Sequence, residues 1–75
     1  MNKEAIIAQL VKLLEVNYID CVEAKTILKN ANIISWLIVA KIAFALFEYV
    51  RDNKLNHQQI ENCKIIIDIL DAIAE

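Results

Sequence analysis

The residues that could support metal or acid–base chemistry lie around a single histidine. His57 and Glu61 are four positions apart, which places both on one side of a helix, and Cys63 follows two positions later. At about 100° per residue, Cys63 points roughly 160° away from Glu61, so the three side chains do not converge. Structural zinc prefers four ligands in paired spacing, and the chain has no CxxC pair. We therefore expect neither a metal site nor a cofactor.

Nucleophilic catalysis lacks the partners that it needs. Ser35 and Thr26 are the only serine and threonine, and both are expected within helices, far in sequence from His57. Asp68 and Asp71 form a carboxylate pair, but they belong to the solvent-facing stripe of the last helix. Loops that cradle phosphate require glycine, and the chain has none. The sequence therefore predicts a protein that is not an enzyme.

The two cysteines are the remaining reactive groups. A reactive thiol needs a lowered pKa. The amino end of a helix favours the thiolate at Cys21, whereas Asp20 and Glu23 place negative charge beside it. We expect Cys21 to act as a partly buried small hydrophobic residue and Cys63 to pack in the core, as free cysteines usually do.

The composition indicates one small domain, residues 1–75, with more apolar surface than it can bury. A single core of this size stabilises a fold by only ~3–5 kcal/mol. Hydrophobic residues make up 59% of the chain, against roughly 45–50% in ordinary domains. The net charge is −2 with only one arginine, which disfavours a nucleic-acid partner. The excess apolar surface favours association.

Apolar spacing and capping residues predict an all-α fold of four helices. The first covers residues 3–16, and the second covers 21–30 behind a cap formed by Asp20 and Glu23. Residues 30–32 separate the second helix from the third; if they did not, residues 21–51 would form one helix and the protein would have three. The third helix, 33–51, is apolar nearly all round, which predicts a buried helix at the centre.

The fourth helix is predicted to begin behind the best-marked cap in the chain and to end near Ala74. Asn56 and Gln59 have the spacing of a capping box. Because the connections are short, sequential helices are expected to pack as antiparallel neighbours in a small bundle.

The apolar arc of this fourth helix covers roughly 220°, about twice what packing against a core requires. We therefore expect a homo-oligomer, with a dimer as the simplest form, in which part of the arc faces a second copy. Asn62 lies near the middle of the arc, where it would either pair with its own copy or sit at a solvated helix end. Trp36, in the first turn of the third helix, is also expected to contact a partner. The expected partner-binding residues are Asn62, Ile65, Ile69, Ala72, Ile73 and Trp36.

The functional hypothesis is a cytoplasmic protein that acts by self-association and by masking or binding another protein, as an adaptor, inhibitor, small chaperone or immunity-type protein does. The cytoplasm is expected because residues 1–4 lead into an amphipathic stretch rather than a signal peptide. The alternative is a small membrane-associated protein anchored by residues 33–51. Within that segment Lys41 interrupts an apolar run of residues 33–47 and makes the insertion energy close to neutral.

Overall fold

The computed structural model describes residues 2–75, and this part of the chain forms four α-helices and no β-strand. Met1, with which the predicted domain begins, lies outside it. The prediction of an all-α fold is confirmed. Residues 31–35 are not helical, so the second and third helices are separate. The helices are α1 (Lys3–Val16), α2 (Val22–Asn30), α3 (Trp36–Asp52) and α4 (His57–Ile73).

Side-chain caps mark the starts of α1 and α4. Asn2 precedes α1, and its Oδ1 accepts a hydrogen bond from the backbone N–H of Glu4 at 2.9 Å. At α4, the backbone N–H of Gln59 donates to Asn56 Oδ1, and the backbone N–H of Asn56 donates to Gln59 Oε1, both at 2.8 Å. The predicted capping box is confirmed, and it satisfies two amide groups that the first turn leaves free.

The predicted cap of α2 is wrong. The N-cap residue is Cys21, whose side chain makes no capping hydrogen bond, and Asp20 instead pairs with Lys25 at 3.1 Å. Ile19 and Cys21 are both buried, which turns the intervening Asp20 outward into solvent.

The expectation that Ser35 lies inside the third helix is also wrong. Ser35 is the N-cap of α3, and its Oγ accepts a hydrogen bond from the backbone N–H of Ile38 at 3.2 Å. A serine hydroxyl satisfies a free first-turn amide better than it serves a helix interior. The helix therefore begins at Trp36, three residues after the predicted start.

The helices pack in a ring around one core. α1 contacts α2 and α4, and α3 also contacts α2 and α4, whereas α1 and α3 do not approach each other closely within residues 2–75. All four helices contribute to this core, and so do the connections on either side of α2, through Ile19, Cys21 and Ile34. Its largest fully buried side chains are Leu14, Ile19, Leu28, Ile34, Ile42, Leu46, Ile66 and Leu70.

Hydrogen bonds join the helix ends at one end of the ring. Gln59 Nε2 donates to the backbone oxygen of Asn17 at 2.8 Å, which links the start of α4 to the end of α1. The Tyr49 hydroxyl accepts from the backbone N–H of Asp20 at 3.0 Å, which links α3 to the α1–α2 connection. Tyr18 takes a left-handed conformation in this connection, with φ of 58°, in a chain without glycine.

At the opposite end of the ring, Glu75 links the end of α4 to the start of α3. The backbone N–H of Glu75 donates to the backbone oxygen of Ile34 at 2.8 Å, and Ile34 is fully buried just before α3. The end of α4 and the beginning of α3 are therefore held together.

The prediction that the third helix is buried at the centre is wrong. α3 buries one side only, through Val39, Ile42, Ala45 and Leu46. In a ring, each helix is covered by two neighbours and nothing covers its outer side. The apolar residues of α3 that point away from both neighbours are therefore exposed, namely Trp36, Leu37, Ala40, Phe44 and Phe47.

None of the helices in residues 2–75 combines the length and the apolar character that crossing a membrane requires.

We expect Asn56→Ala to lower the free energy of unfolding by about 1 kcal/mol, because the substitution leaves a first-turn amide of α4 without its partner. For a domain of this length, the loss corresponds to a fall in melting temperature of roughly 4–8 °C. Thermal unfolding followed by circular dichroism measures it. Lys54→Ala, in the same connection, is the control and should change the melting temperature by less than about 2 °C. Equal effects of the two variants would contradict the importance of the capping box.

Candidate protein-binding surface

The residues considered for catalysis or metal binding are dispersed. His57 is exposed in the first turn of α4, Ser35 caps α3, and Asp68 and Asp71 face solvent. Within residues 2–75, no three histidine, cysteine, aspartate or glutamate side chains come together in a way that would hold a metal ion.

Both cysteines are free and buried. Cys21 donates a weak hydrogen bond from Sγ to the backbone oxygen of Ala45, at 3.6 Å. Burial raises the pKa of the Cys21 thiol, and this effect outweighs the hydrogen bond from the Ala24 backbone that lowers it. Burial, followed by the nearby Cys21, raises the pKa of Cys63. Both side chains thus behave as small hydrophobic residues, which for Cys21 is more complete burial than the sequence predicted.

The outer side of α3 carries large apolar side chains in solvent. Trp36 is 62% exposed, Leu37 64%, Phe44 65% and Phe47 61%, and Ala40 lies exposed among them. At about 100° per residue these five side chains occupy an arc of roughly 100° on the helix. We call this set of five residues the α3 face.

One edge of the α3 face is charged. Lys41 and Glu48, seven positions apart, lie on the side next to α2, where Lys41 and Phe44 line a groove with Glu23 and Ile27 of that helix. Lys41 is exposed and forms no ion pair with the residues that the structure describes. The edge therefore presents an exposed cation and, about two helical turns away, a carboxylate.

Arg51 lies at the carboxyl-terminal end of the α3 face. Its guanidinium contacts Asp52 twice, with Nε to Oδ1 at 2.8 Å and Nη2 to Oδ2 at 3.0 Å, and Nη2 lies 3.8 Å from Glu48 Oε2. Ion pairs this exposed contribute little to stability, but they set the orientation of the arginine.

A second and weaker apolar strip lies on α4. Ile65 is 40% exposed and Ile69 36%, Ala72 is exposed, and Ile73 is half-buried against the core. The expectation that the arc of this helix is wider than the core requires is confirmed, since Cys63, Ile66 and Leu70 are buried beside it. Individually, however, these isoleucines expose far less of their surface than the residues of the α3 face do.

Asn62 is buried inside the protomer. Only 7% of it is exposed, and its Oδ1 accepts a hydrogen bond from Gln58 Nε2 at 3.3 Å. It therefore does not sit at a solvated helix end, and little of its surface remains for pairing with a second copy.

The structure places Trp36, which the sequence singled out, on the α3 face, and it adds Leu37, Phe44 and Phe47, which the sequence did not. The signal for Leu37 and Phe44 was the position of Lys41 and Glu48, because charged residues mark the solvent side of an otherwise apolar helix and both side chains lie within a quarter turn of them. Phe47 lies about 100° from Glu48 around the helix, so this signal does not extend to it.

We expect ionisation of the two thiols to leave the free energy of unfolding nearly unchanged below pH about 8.5 and to lower it at higher pH. The folded-state pKa of each thiol is raised, so the unfolded chain releases these protons at a lower pH, and rising pH then favours unfolding. Urea unfolding between pH 7 and about 9.8 measures this effect. The free energy of unfolding should fall more steeply with pH for the wild type than for the Cys21→Ala, Cys63→Ala double variant. Parallel curves would show that the thiols ionise equally in both states.

Comparison of the chain with protein-family models, with curated proteins and with solved structures finds no match.

Proposed function

We propose that this chain is a non-enzymatic association module that binds a protein surface through the α3 face. One observation carries the proposal: four large apolar side chains, each more than 60% exposed, lie along one side of a single helix. Isolated apolar residues on a surface are ordinary, whereas a contiguous apolar patch with a polar rim is typical of an interaction site.

The size of the patch supports this interpretation. Aromatic side chains present about 150–250 Å² each, so four large residues at this exposure offer on the order of 500 Å² of apolar surface. That is within the range of the largest patch on a typical monomer, roughly 300–600 Å², which is often functional. Tryptophan and arginine are also enriched among residues that dominate binding energies, and Trp36 and Arg51 stand at the two ends of this helix.

The scaffold suits such a role because α3 is fixed at both ends. Ser35 caps its start beside the Glu75–Ile34 hydrogen bond, and the Tyr49 hydroxyl holds its last turns against the α1–α2 connection. A surface that is already ordered loses less conformational entropy on binding. We propose that the helices alternate in direction as an antiparallel bundle, which the contacts between helix ends support.

The proposed role is to occupy or mask another protein surface, as an adaptor, inhibitor, small chaperone or immunity-type protein does. The cytoplasm is the proposed location, because both cysteines are free and a reducing compartment keeps them so. Ile65, Ile69 and Ala72 on α4 are a candidate second contact of smaller area.

We expect a photo-reactive benzophenone side chain to capture a partner when it replaces Phe44 or Leu37. In cells of the native host, each of these two positions should give one discrete covalent adduct of the same partner mass. Phe47→Lys, introduced beside the Phe44 probe, should remove most of the adduct, since a buried charge opposes docking. Denaturing electrophoresis and mass spectrometry measure the adducts.

The matched control places the same probe at Lys12, an exposed residue of α1. Adducts of equal yield from Lys12 and Phe44 would contradict the proposal, as would the absence of any adduct. The membrane-associated alternative has a distinct outcome: the probe at Phe44 would label phospholipid, and the unmodified chain would float with vesicles. Phe47→Lys should change the melting temperature by only a few degrees, because Phe47 is mostly exposed.

A further inference from the structure

We infer that the partner of the α3 face is a second copy of this chain, packed antiparallel about a twofold axis that passes between Phe44 and Ala45. In this dimer Lys41 of each copy lies opposite Glu48 of the partner copy, on the same edge of the interface. The inference rests on the proposed function, and it adds the occupant of the surface, the direction of packing and the register.

The direction follows from the charged edge. Lys41 and Glu48 lie on one edge of the α3 face, next to α2, while the other edge is apolar. A twofold axis perpendicular to two antiparallel helices brings each edge against its own equivalent, so the charged edges meet. A parallel twofold pair would lay the charged edge of each copy against the apolar edge of the other. Of these two arrangements, only the antiparallel one places the edge charges of one copy opposite those of the other.

The register follows from the spacing of the same two charges. In an antiparallel pair, residues whose numbers are placed symmetrically about the axis lie opposite each other, and the midpoint of Lys41 and Glu48 is 44.5. A competing register aligns the midpoints of the two apolar stripes, which run from Trp36 to Phe47, and has its axis at position 41.5. That register would place the two copies of Lys41 within about one residue rise of each other, which is roughly 1.5 Å along the helix axis. Like charges this close oppose association, so the charge-paired register is favoured.

The other residues of the face fit this register. Phe44 of each copy lies beside the axis, next to Phe44 of the partner copy, where offset aromatic contacts are favourable. The small side chain of Ala40 leaves room for Phe47 of the partner copy. Arg51, whose guanidinium is oriented by Asp52, lies within about two residue rises of Trp36 of the partner copy, a distance that allows a cation–π contact.

The area predicts a weak dimer. Two α3 faces together bury on the order of 1,000 Å², just below the roughly 1,200–2,000 Å² of standard stable interfaces. The groove beside Ile27 and the stems of Lys41 and Glu48 extend the contact by a modest amount. We therefore expect a dimer that dissociates in the micromolar range.

Sedimentation equilibrium at about 1–200 µM tests the inference through a charge-exchange set of variants. Lys41→Glu and Glu48→Lys should each raise the dimer dissociation constant by about tenfold or more, because each creates two like-charge contacts per dimer. The double variant K41E/E48K should return to within about threefold of the wild type, since both opposite-charge pairs are restored in reversed orientation. Circular dichroism confirms that each variant is folded. Lys12→Glu, at an exposed position of α1, makes the same change in net charge as Lys41→Glu and is the control that should leave the dissociation constant unchanged. Phe44→Lys and Ile69→Lys are measured beside it to separate the α3 face from the α4 strip.

Three outcomes would overturn the inference. A wild type that stays monomeric throughout this range contradicts it, and if the Phe44 probe still captures another protein, the proposed function survives without it. If Phe44→Lys weakens the dimer but K41E/E48K binds no more tightly than the single variants, the α3 face is the interface and its register is different. A dimer that is lost with Ile69→Lys and not with Phe44→Lys uses the α4 strip instead.

Discussion

Packing in a ring determines which apolar side chains of this protein are covered. α3 contacts α2 and α4 and does not approach α1 within residues 2–75, so its neighbours cover only its inner side. The inner side holds the fully buried Ile42 and Leu46. The outer side has no element to pack against, although its residues are as apolar as those of the core. The α3 face is the direct consequence of this geometry.

The two exposed apolar surfaces differ in how much of each side chain reaches solvent. On α4, which packs against α1 and α3, Ile65 and Ile69 keep 40% and 36% of their surface in solvent. Phe44 and Phe47 keep more than 60%. Since the stabilisation gained by burial scales with the area removed from water, covering the α3 face would give a larger gain than covering the α4 strip.

In the proposed interaction, charge gives the α3 face its specificity. An apolar stripe alone would associate with many surfaces, whereas Lys41, Glu48 and Arg51 favour partners whose charges match in position and disfavour the rest. These ions lie at the rim of the face, where water screens them when the chain is alone, so they cost little in the free protein. In the proposed complex, the apolar area therefore supplies affinity, and the charges select the partner and its orientation.

The sequence was sufficient to predict the helices, but it did not show which side of α3 is exposed. Apolar spacing and the Asn56–Gln59 box are local signals, and they were sufficient for the all-α class and for the start of α4. Residues 33–51, by contrast, are apolar nearly all round, so periodicity could not show which side faces the core. That choice depends on which helices are neighbours, and a ring without close α1–α3 contact leaves Leu37, Phe44 and Phe47 in solvent because nothing reaches them.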